Sequence, residues 1–103
     1  MKLTRLAKGR RCVRCGRENG TTCAAHYQGA QSGRLGKGMG IKPDDLFCAW
    51  LCDHCHNETD GRQESLYSRE ELDHQMAMDV LVTIGLLVDE GYITINYSGV
   101  PEA

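Results

Sequence analysis

The clearest hydrophobic pattern lies in the C-terminal part of the chain, where apolar residues recur at three- and four-residue spacing. The series starts after Ser68 and Glu71, which form a capping-box sequence, and it stops at Gly91. Its members are Leu72, Met76, Val80, Ile84, Leu87 and Val88. This spacing predicts one long amphipathic helix. Because its polar face is acidic and would repel DNA, we expect a scaffolding role, or a homodimer contact that covers Met76, Leu87 or Val88 if they are exposed.

The other predicted elements are short. Residues 21–26 and 46–51 have the composition and length of strands. Residues 52–60 carry no helix breaker, so we expect a short helix there, ended by the glycine that follows. Apolar and polar residues alternate over residues 92–97, which predicts a terminal strand or an ordered tail. Residues 1–11 are expected to form a basic arm or a short helix.

A Gly-rich segment over residues 29–40 separates the two predicted strands. It holds five Gly and two basic side chains. Such a segment either lies along a polyanion or simply connects its neighbours. We expect one α+β domain over residues 1–103, with its core at about residues 8–62 and the long helix and terminal strand over residues 68–97.

Composition limits how this domain is stabilised. The chain has 103 residues, is 41% hydrophobic and only 6% aromatic, and so buries a thin core. Its net charge of −2 argues at first against a nucleic-acid partner. Residues 1–42 hold ten Lys or Arg and one acid, a charge of +9, whereas residues 43–103 hold two Arg and thirteen acids, a charge of −11. The basic part therefore either forms a phosphate-binding face or is neutralised by the acidic part within the fold.

The cysteines suggest what supplements the core. No apolar run follows the basic N-terminus, and no apolar stretch elsewhere in the chain is long enough to span a bilayer. We therefore expect a protein of the reducing cytoplasm, where bound metal is favoured over disulfides. Two Cys-x2-Cys knuckles, separated by residues 16–51, match the four-thiolate shell of structural zinc, with disulfides or free thiols as the alternative. They are formed by Cys12, Cys15, Cys52 and Cys55. Cys23 and Cys48 lie on predicted strands and read as buried free thiols. His54, inside the second knuckle, is either a competing ligand or a solvated side chain.

Several side chains around the knuckles suggest catalysis. His56 and Asp60, four residues apart on the short helix, face the same side and could hold a divalent ion. Asp45, just before the second strand, could add an oxygen ligand. With neutral His26 as general base, this set suffices for phosphodiester hydrolysis.

The chain resembles the HNH nucleases, also called the ββα-metal or His-Me finger superfamily, in their zinc-knuckled form. The resemblance is closest to the small nucleases of lambda-like phages and prophages, and it covers about residues 8–62. It rests on Cys12–Cys15, Ala24-Ala25-His26, the segment Lys42-Pro43-Asp44-Asp45-Leu46, and the segment from Leu51 to Asp60. The resemblance implies a small zinc-stabilised ββα-metal finger followed by the long helix, and a catalytic Mg²⁺ or other divalent ion beside the structural Zn²⁺.

The resemblance also implies a role for each matching residue. His26 corresponds to the general base, Asp45 or its neighbour Asp44 to the middle catalytic position, and His56 to the last His, a metal ligand. Asp60 stands where some members place a further metal-binding His. Many members carry Asp, Glu or His directly before the first His, where this chain has Ala25.

The function expected from these residues is a metal-dependent DNA endonuclease that is weakly sequence-specific or structure-selective and acts in the host cytoplasm. Phosphate contacts are expected from Arg10, Arg11, Arg14, Arg17, Arg34, Lys37 and Arg62. The alternative favoured by Ala25 is a non-catalytic zinc module that binds DNA or protein and has a decayed nuclease site. A third interpretation is a protein adaptor that works through its acidic helix.

Overall fold

The computed structural model describes residues 2–36 and 44–96. It contains a two-stranded sheet and two α-helices, and therefore confirms a small α+β fold with a long C-terminal helix. The strands are β1, Cys23–His26, and β2, Cys48–Leu51; the helices are α1, Asp53–Asp60, and α2, Arg69–Asp89. Short 3₁₀ helices occupy Leu3–Ala7, Ser32–Leu35 and Asp45–Phe47.

The sheet is antiparallel and pairs Cys23 with Leu51 and His26 with Cys48. Strand β2 is buried along its whole length. It starts at Cys48, two residues later than the sequence predicts, because the Asp44 side chain accepts a hydrogen bond from the Leu46 amide at 2.9 Å and caps a 3₁₀ turn there. In chain order the sheet is followed directly by α1, which begins at the second cysteine knuckle.

Helix α2 packs across the sheet. The predicted capping box is present, with Ser68 Oγ accepting from the Glu71 amide and the Glu71 carboxylate accepting from the Ser68 amide. One core cluster joins sheet and helix through Ala25, Ala49, Leu51, Met76 and Val80, and a second joins Ala7, Trp50 and Leu87. The same face of α2 also buries two polar side chains that the hydrophobic pattern does not predict, Asp79 and Thr83.

Helix α2 ends close to the predicted Gly91, but the segment after it does not form the predicted strand. Gly91 adopts a left-handed φ of 81°, and the amides of Tyr92 and Ile93 donate to the Leu87 carbonyl at 2.9 and 3.2 Å. These amides close the helix end instead of pairing with a strand. The terminal strand is therefore absent from residues 92–96, and Tyr97 lies outside the described residues.

Two further expectations change. Met76 and Leu87 are covered within the chain itself, so they do not call for a partner; the exposed apolar residues of α2 are Met78, Leu81 and Val82. Homodimerisation stays a prediction.

The Gly-rich segment is not a uniform loop, because Ser32–Leu35 is helical and contributes Leu35 to the core. Residues 37–40 lie outside the residues that the structure describes. In that described part, no helix has the length and apolar character to span a bilayer.

Candidate active site and metal centre

Four cysteine sulfurs meet next to the sheet. The Sγ atoms of Cys12, Cys15, Cys52 and Cys55 all lie within 4.8 Å of one another. The first knuckle turns at Gly16, whose φ is 79° and whose amide donates to the Cys12 carbonyl at 2.9 Å. The Cys15 and Cys52 sulfurs are 3.7 Å apart, close to the separation of about 3.8 Å expected around a tetrahedral ion with bonds of about 2.3 Å. The cluster therefore fits a structural metal such as zinc.

The ionisation of these thiols also favours a shared cation. Burial raises the pKa of the Cys12 thiol, but hydrogen bonds from backbone groups at Cys15, Cys52 and Arg14 outweigh it and lower the pKa to about 7. Burial, and next the charge of Cys12, raise the pKa of Cys55. Burial also raises the pKa of Cys15. One thiolate thus makes the next harder to form, and a divalent ion bound by all four sulfurs removes that repulsion.

Arg14, in the first knuckle, connects this cluster to both helices. Its Nε donates to Asp79 Oδ2 of α2 at 2.7 Å. Its Nη1 donates to Thr59 Oγ1 of α1 at 2.8 Å and to the Cys55 carbonyl at 3.4 Å. The side chains of Arg14 and Asp79 are only 11% and 4% exposed. The chain itself thus encloses the Arg14 guanidinium group, which disfavours the predicted contact of Arg14 with a nucleic acid.

Arg10 is also engaged within the fold. Its Nη1 lies 2.6 Å from Glu90 Oε1, and its guanidinium carbon lies 4.8 Å from the centre of the Trp50 ring. These contacts hold Arg10 against the end of α2 and reduce its availability for phosphate. The remaining predicted phosphate contacts in the described residues are exposed, namely Arg11, Arg17, Arg34 and Arg62. Lys37 lies outside the described residues.

His26, at the end of β1, is held by a carboxylate. Its Nε2 lies 2.9 Å from Asp45 Oδ1. The antiparallel register places His26 opposite Cys48, so the 3₁₀ turn just before β2 brings Asp45 alongside the imidazole. The neighbouring Asp44 caps that turn instead. With a carboxylate at Nε2, a neutral imidazole carries its proton there and keeps a lone pair at Nδ1, the form that a general base requires.

His56 on α1 is contacted at both ring nitrogens. Its Nε2 lies 3.1 Å from Asp60 Oδ2, as the four-residue spacing predicts. Its Nδ1 lies 3.2 Å from the Sγ of Cys23 on β1. Burial, and next the negative charge of Asp60, raise the pKa of Cys23. Cys23 is thus half-buried and in contact with a functional candidate, which corrects its interpretation as a simply buried thiol.

A cleft of about 440 Å³ opens beside these groups. His26 lines it from β1, Asp60 and Arg62 from the end of α1, and Arg69 and Asp73 from the start of α2. Arg62 Nη2 lies 3.4 Å from Asp60 Oδ2 and its side chain is 67% exposed. The cleft therefore presents a candidate base, carboxylates and two cations to solvent.

The contribution of α2 to this cleft was missed from the sequence. Arg69 and Asp73 are four residues apart and so share one face of the helix. Asp73 Oδ2 accepts a hydrogen bond from the Tyr27 hydroxyl at 3.1 Å, while Asp73 Oδ1 is buried without a hydrogen-bond partner. Gly29 is required beside it, because a Cβ there would lie 1.3 Å from Asp73 Oδ1. Helix α2 is thus part of the candidate site as well as a scaffold.

The structure divides the predicted catalytic residues into two pairs. Asp45 accompanies His26, and Asp60 accompanies His56. Across residues 2–36 and 44–96, the four cysteines form the one group of three or more potential ligands close enough to share an ion. Asp45 is therefore not gathered with His56 and Asp60 into a single ligand set, which leaves a histidine and a carboxylate of α1 as the candidate ligands of a second ion.

The chain is similar to a protein family and to a solved structure. The family model described as "Putative nuclease YbcO" matches residues 1–92. A solved structure described as "Structure of a putative bacteriophage protein from Escherichia coli str. K-12 substr. MG1655" is similar at a TM-score of 0.64 and 24% sequence identity. That similarity covers 85% of this chain and 98% of the other, and it shows a shared fold. No curated protein matches the chain.

Proposed function

Since the chain belongs to the family described as putative nuclease YbcO, we propose that it is an HNH-type, metal-dependent DNA endonuclease. The observation that carries this proposal is the placement of His26. Its imidazole is paired with Asp45 at 2.9 Å and lines a cleft whose other walls carry Asp60, Arg62 and Arg69. A base in one cleft with two cations and the carboxylates of Asp60 and Asp73 suits hydrolysis of a phosphodiester. The chain order β1, β2, α1 is the order of a ββα-metal finger.

In this mechanism His26 removes the proton from the attacking water. The Asp45 carboxylate keeps the proton of the neutral imidazole on Nε2, which leaves Nδ1 to accept the proton of the water. Oxygen from that water adds to phosphorus, the bond from phosphorus to the leaving ester oxygen breaks, and the leaving oxygen takes a proton from solvent water. The Asp45 carboxylate then stabilises the imidazolium that forms.

His56 and Asp60 are the residues that would hold the catalytic ion. One imidazole nitrogen and one carboxylate, 3.1 Å apart on a single helix face, fit two adjacent positions of a divalent ion such as Mg²⁺ or Mn²⁺. When bound, the ion would stabilise charge on the phosphate and on the leaving oxygen. Asp45 has no part in this ligand set in our proposal, because it supports His26.

Substrate binding is assigned to the cations around the cleft. Arg62 and Arg69 line the cleft and would bind the phosphate that is cut. The exposed Arg11, Arg17 and Arg34 would contact phosphates farther along the strand. Such contacts give affinity without reading bases, so cleavage is expected to be weakly sequence-specific or structure-selective, with strongly salt-dependent binding.

A second candidate function is a non-catalytic zinc module that binds DNA or protein. It is favoured by Ala25, which is buried in the core opposite Ala49. The position that carries a metal ligand in many HNH enzymes therefore supplies none here. This candidate expects salt-dependent DNA binding without cleavage by any divalent ion.

A plasmid-nicking assay with Mg²⁺ or Mn²⁺ separates the two functions. We expect the zinc-loaded wild-type protein to nick DNA and His26→Ala to lower the rate by about 10²–10⁴-fold, the usual contribution of a general base. His74→Ala is the matched control, because His74 is an exposed histidine of α2 that does not line the His26 cleft. Equal rates for wild type and His26→Ala would contradict the proposed mechanism, and DNA binding without any nicking would favour the second candidate.

A further inference from the structure

The contact between Cys23 and His56 joins the sheet to the candidate ion site. Cys23 belongs to neither zinc knuckle and lies outside the four-cysteine cluster. Its Sγ is nevertheless 3.2 Å from His56 Nδ1, while His56 Nε2 faces Asp60 at 3.1 Å. The imidazole is therefore held between a thiol on β1 and a carboxylate on its own helix.

A ligating histidine needs a defined tautomer. To bind an ion through Nε2, the ring must hold a lone pair there and carry its proton on Nδ1. The proton on Nδ1 then needs an acceptor, and ligating histidines almost always donate it to a group outside the ligand shell. In this structure the group in contact with Nδ1 is the Cys23 sulfur.

A thiol suits both states of this histidine. Its S–H can donate to Nδ1 when the proton of the ring lies on Nε2 toward Asp60, and its sulfur can accept from Nδ1 when Nε2 binds an ion. A side chain without a donor or acceptor would leave Nδ1 unpartnered in either state. The half-buried position of Cys23 on a strand also fixes the plane of the ring, because β1 is anchored in the core.

We propose that Cys23 is a positioning residue for His56 that sets the tautomer and orientation in which Nε2 binds the catalytic ion. This role rests on the proposed function, since it assumes that His56 is a ligand. It assigns no chemical step to the thiol. Outer-shell partners of this kind change metal affinity by about 10–100-fold when they are removed.

The test uses the full zinc-loaded chain and two readouts that do not depend on cleavage. The first is the ¹⁵N NMR spectrum of the His56 ring, which reports the protonation of Nδ1 and Nε2. The second is the affinity for Mn²⁺, measured by titration. We expect Cys23→Ala to change the ring spectrum and to weaken Mn²⁺ binding by about 10–100-fold. Cys23→Ser, which keeps a donor and an acceptor, should restore both toward wild type.

Controls separate this inference from folding and from the proposed function. Zinc content and circular dichroism establish that each variant is folded, and Cys23→Val replaces Cys23→Ala if the smaller side chain unfolds the chain. An unchanged His56 spectrum and unchanged Mn²⁺ affinity in the apolar variant would overturn the role of Cys23, whatever the nicking activity. Absence of nicking by the wild type would overturn the proposed function while the NMR comparison still decides the contact.

Discussion

The buried ion pair between Arg14 and Asp79 offers a quantitative test of how the zinc knuckle is attached to the helices. Replacing Asp79 by Leu removes the carboxylate 2.7 Å from the Arg14 Nε. It leaves a guanidinium that is 11% exposed with Glu58, whose Oε1 lies 3.9 Å from Nη1, as its remaining charge partner. Removing one member of a buried pair typically costs about 3–5 kcal/mol, because the remaining charge is left uncompensated. The Glu58 carboxylate compensates part of the charge, so we expect a loss near the lower end of this range.

The double variant Arg14→Met, Asp79→Leu tests this reason directly. It removes the charges of Arg14 and Asp79 and fills the space with apolar atoms, while Glu58 keeps its hydrogen bond from Ser65 Oγ. We therefore expect it to be more stable than Asp79→Leu alone by about 1–2 kcal/mol. The Thr59 hydroxyl keeps its own hydrogen bond to the Cys55 carbonyl in both variants. Glu18→Gln is the control, because the Arg11–Glu18 pair is 68% and 63% exposed and is worth about 0–1 kcal/mol.

The measurement is urea unfolding followed by circular dichroism at one fixed free zinc concentration, since bound metal adds to the apparent stability. The free energy of unfolding should fall steeply for Asp79→Leu, recover in the double variant and barely change for Glu18→Gln. A loss below about 1 kcal/mol for Asp79→Leu, or a double variant as unstable as the single one, would refute the assignment of Arg14 as a buried bridge.

Three further predictions concern the zinc cluster and the cleft. Metal analysis should find one zinc per chain, and a strong chelator should unfold the protein as seen by circular dichroism, because zinc binding is worth about 10–16 kcal/mol in small domains; a native spectrum without zinc would contradict this. Gly29→Ala should lower the free energy of unfolding by about 1–3 kcal/mol through overpacking against Asp73, whereas Gly33→Ala, where a Cβ meets nothing within 4 Å, should not; equal effects would argue against the tight contact. The double variant Arg62→Gln, Arg69→Gln should reduce the slope of log affinity against log salt concentration by about 2 in a DNA-binding titration. The control double variant Arg5→Gln, Lys8→Gln, at two exposed positions, should change this slope less. An equal change in the two double variants would mean that the DNA phosphates bind away from the cleft.

Local chemistry made much of the fold predictable. The capping box at Ser68, the long apolar series after it and the breaker-free stretch to Gly61 are signals that act within one or two turns, and α2 and α1 follow them closely. The knuckle spacing likewise predicted the cysteine cluster, because a tetrahedral ion imposes a short-range requirement on both pairs. The pairing of His56 with Asp60 was predictable for the same reason, since it is set by the helical repeat.

The remaining features depend on contacts that the hydrophobic pattern and the motif spacing do not encode. The predicted terminal strand does not form in residues 92–96, because the amides of Tyr92 and Ile93 donate to the Leu87 carbonyl and close the end of α2. The sequence suggested that Arg14 is a surface cation, but its guanidinium group donates to the carboxylate of Asp79, which is 65 residues away in the chain. Cys23 looked like a core thiol, and its contact with His56 arises only when α1 packs beside β1. In the last two cases the partner of the side chain lies outside any short sequence window.

The division of charge along the chain takes on a different meaning once these contacts are known. Neutralisation within the fold holds for Arg10 and Arg14 of the basic part, which bind Glu90 and Asp79 of the acidic part. Residues 43–103 carry thirteen acids and just two Lys or Arg. Those two are Arg62 and Arg69, and both line the cleft of His26. An acidic surface repels DNA over the range of a Debye length, about 8–10 Å. The two arginines offset the Asp60 and Asp73 carboxylates of the same cleft, which would let a phosphate approach His26. Positive charge in the acidic part is thus concentrated where the proposed chemistry needs it.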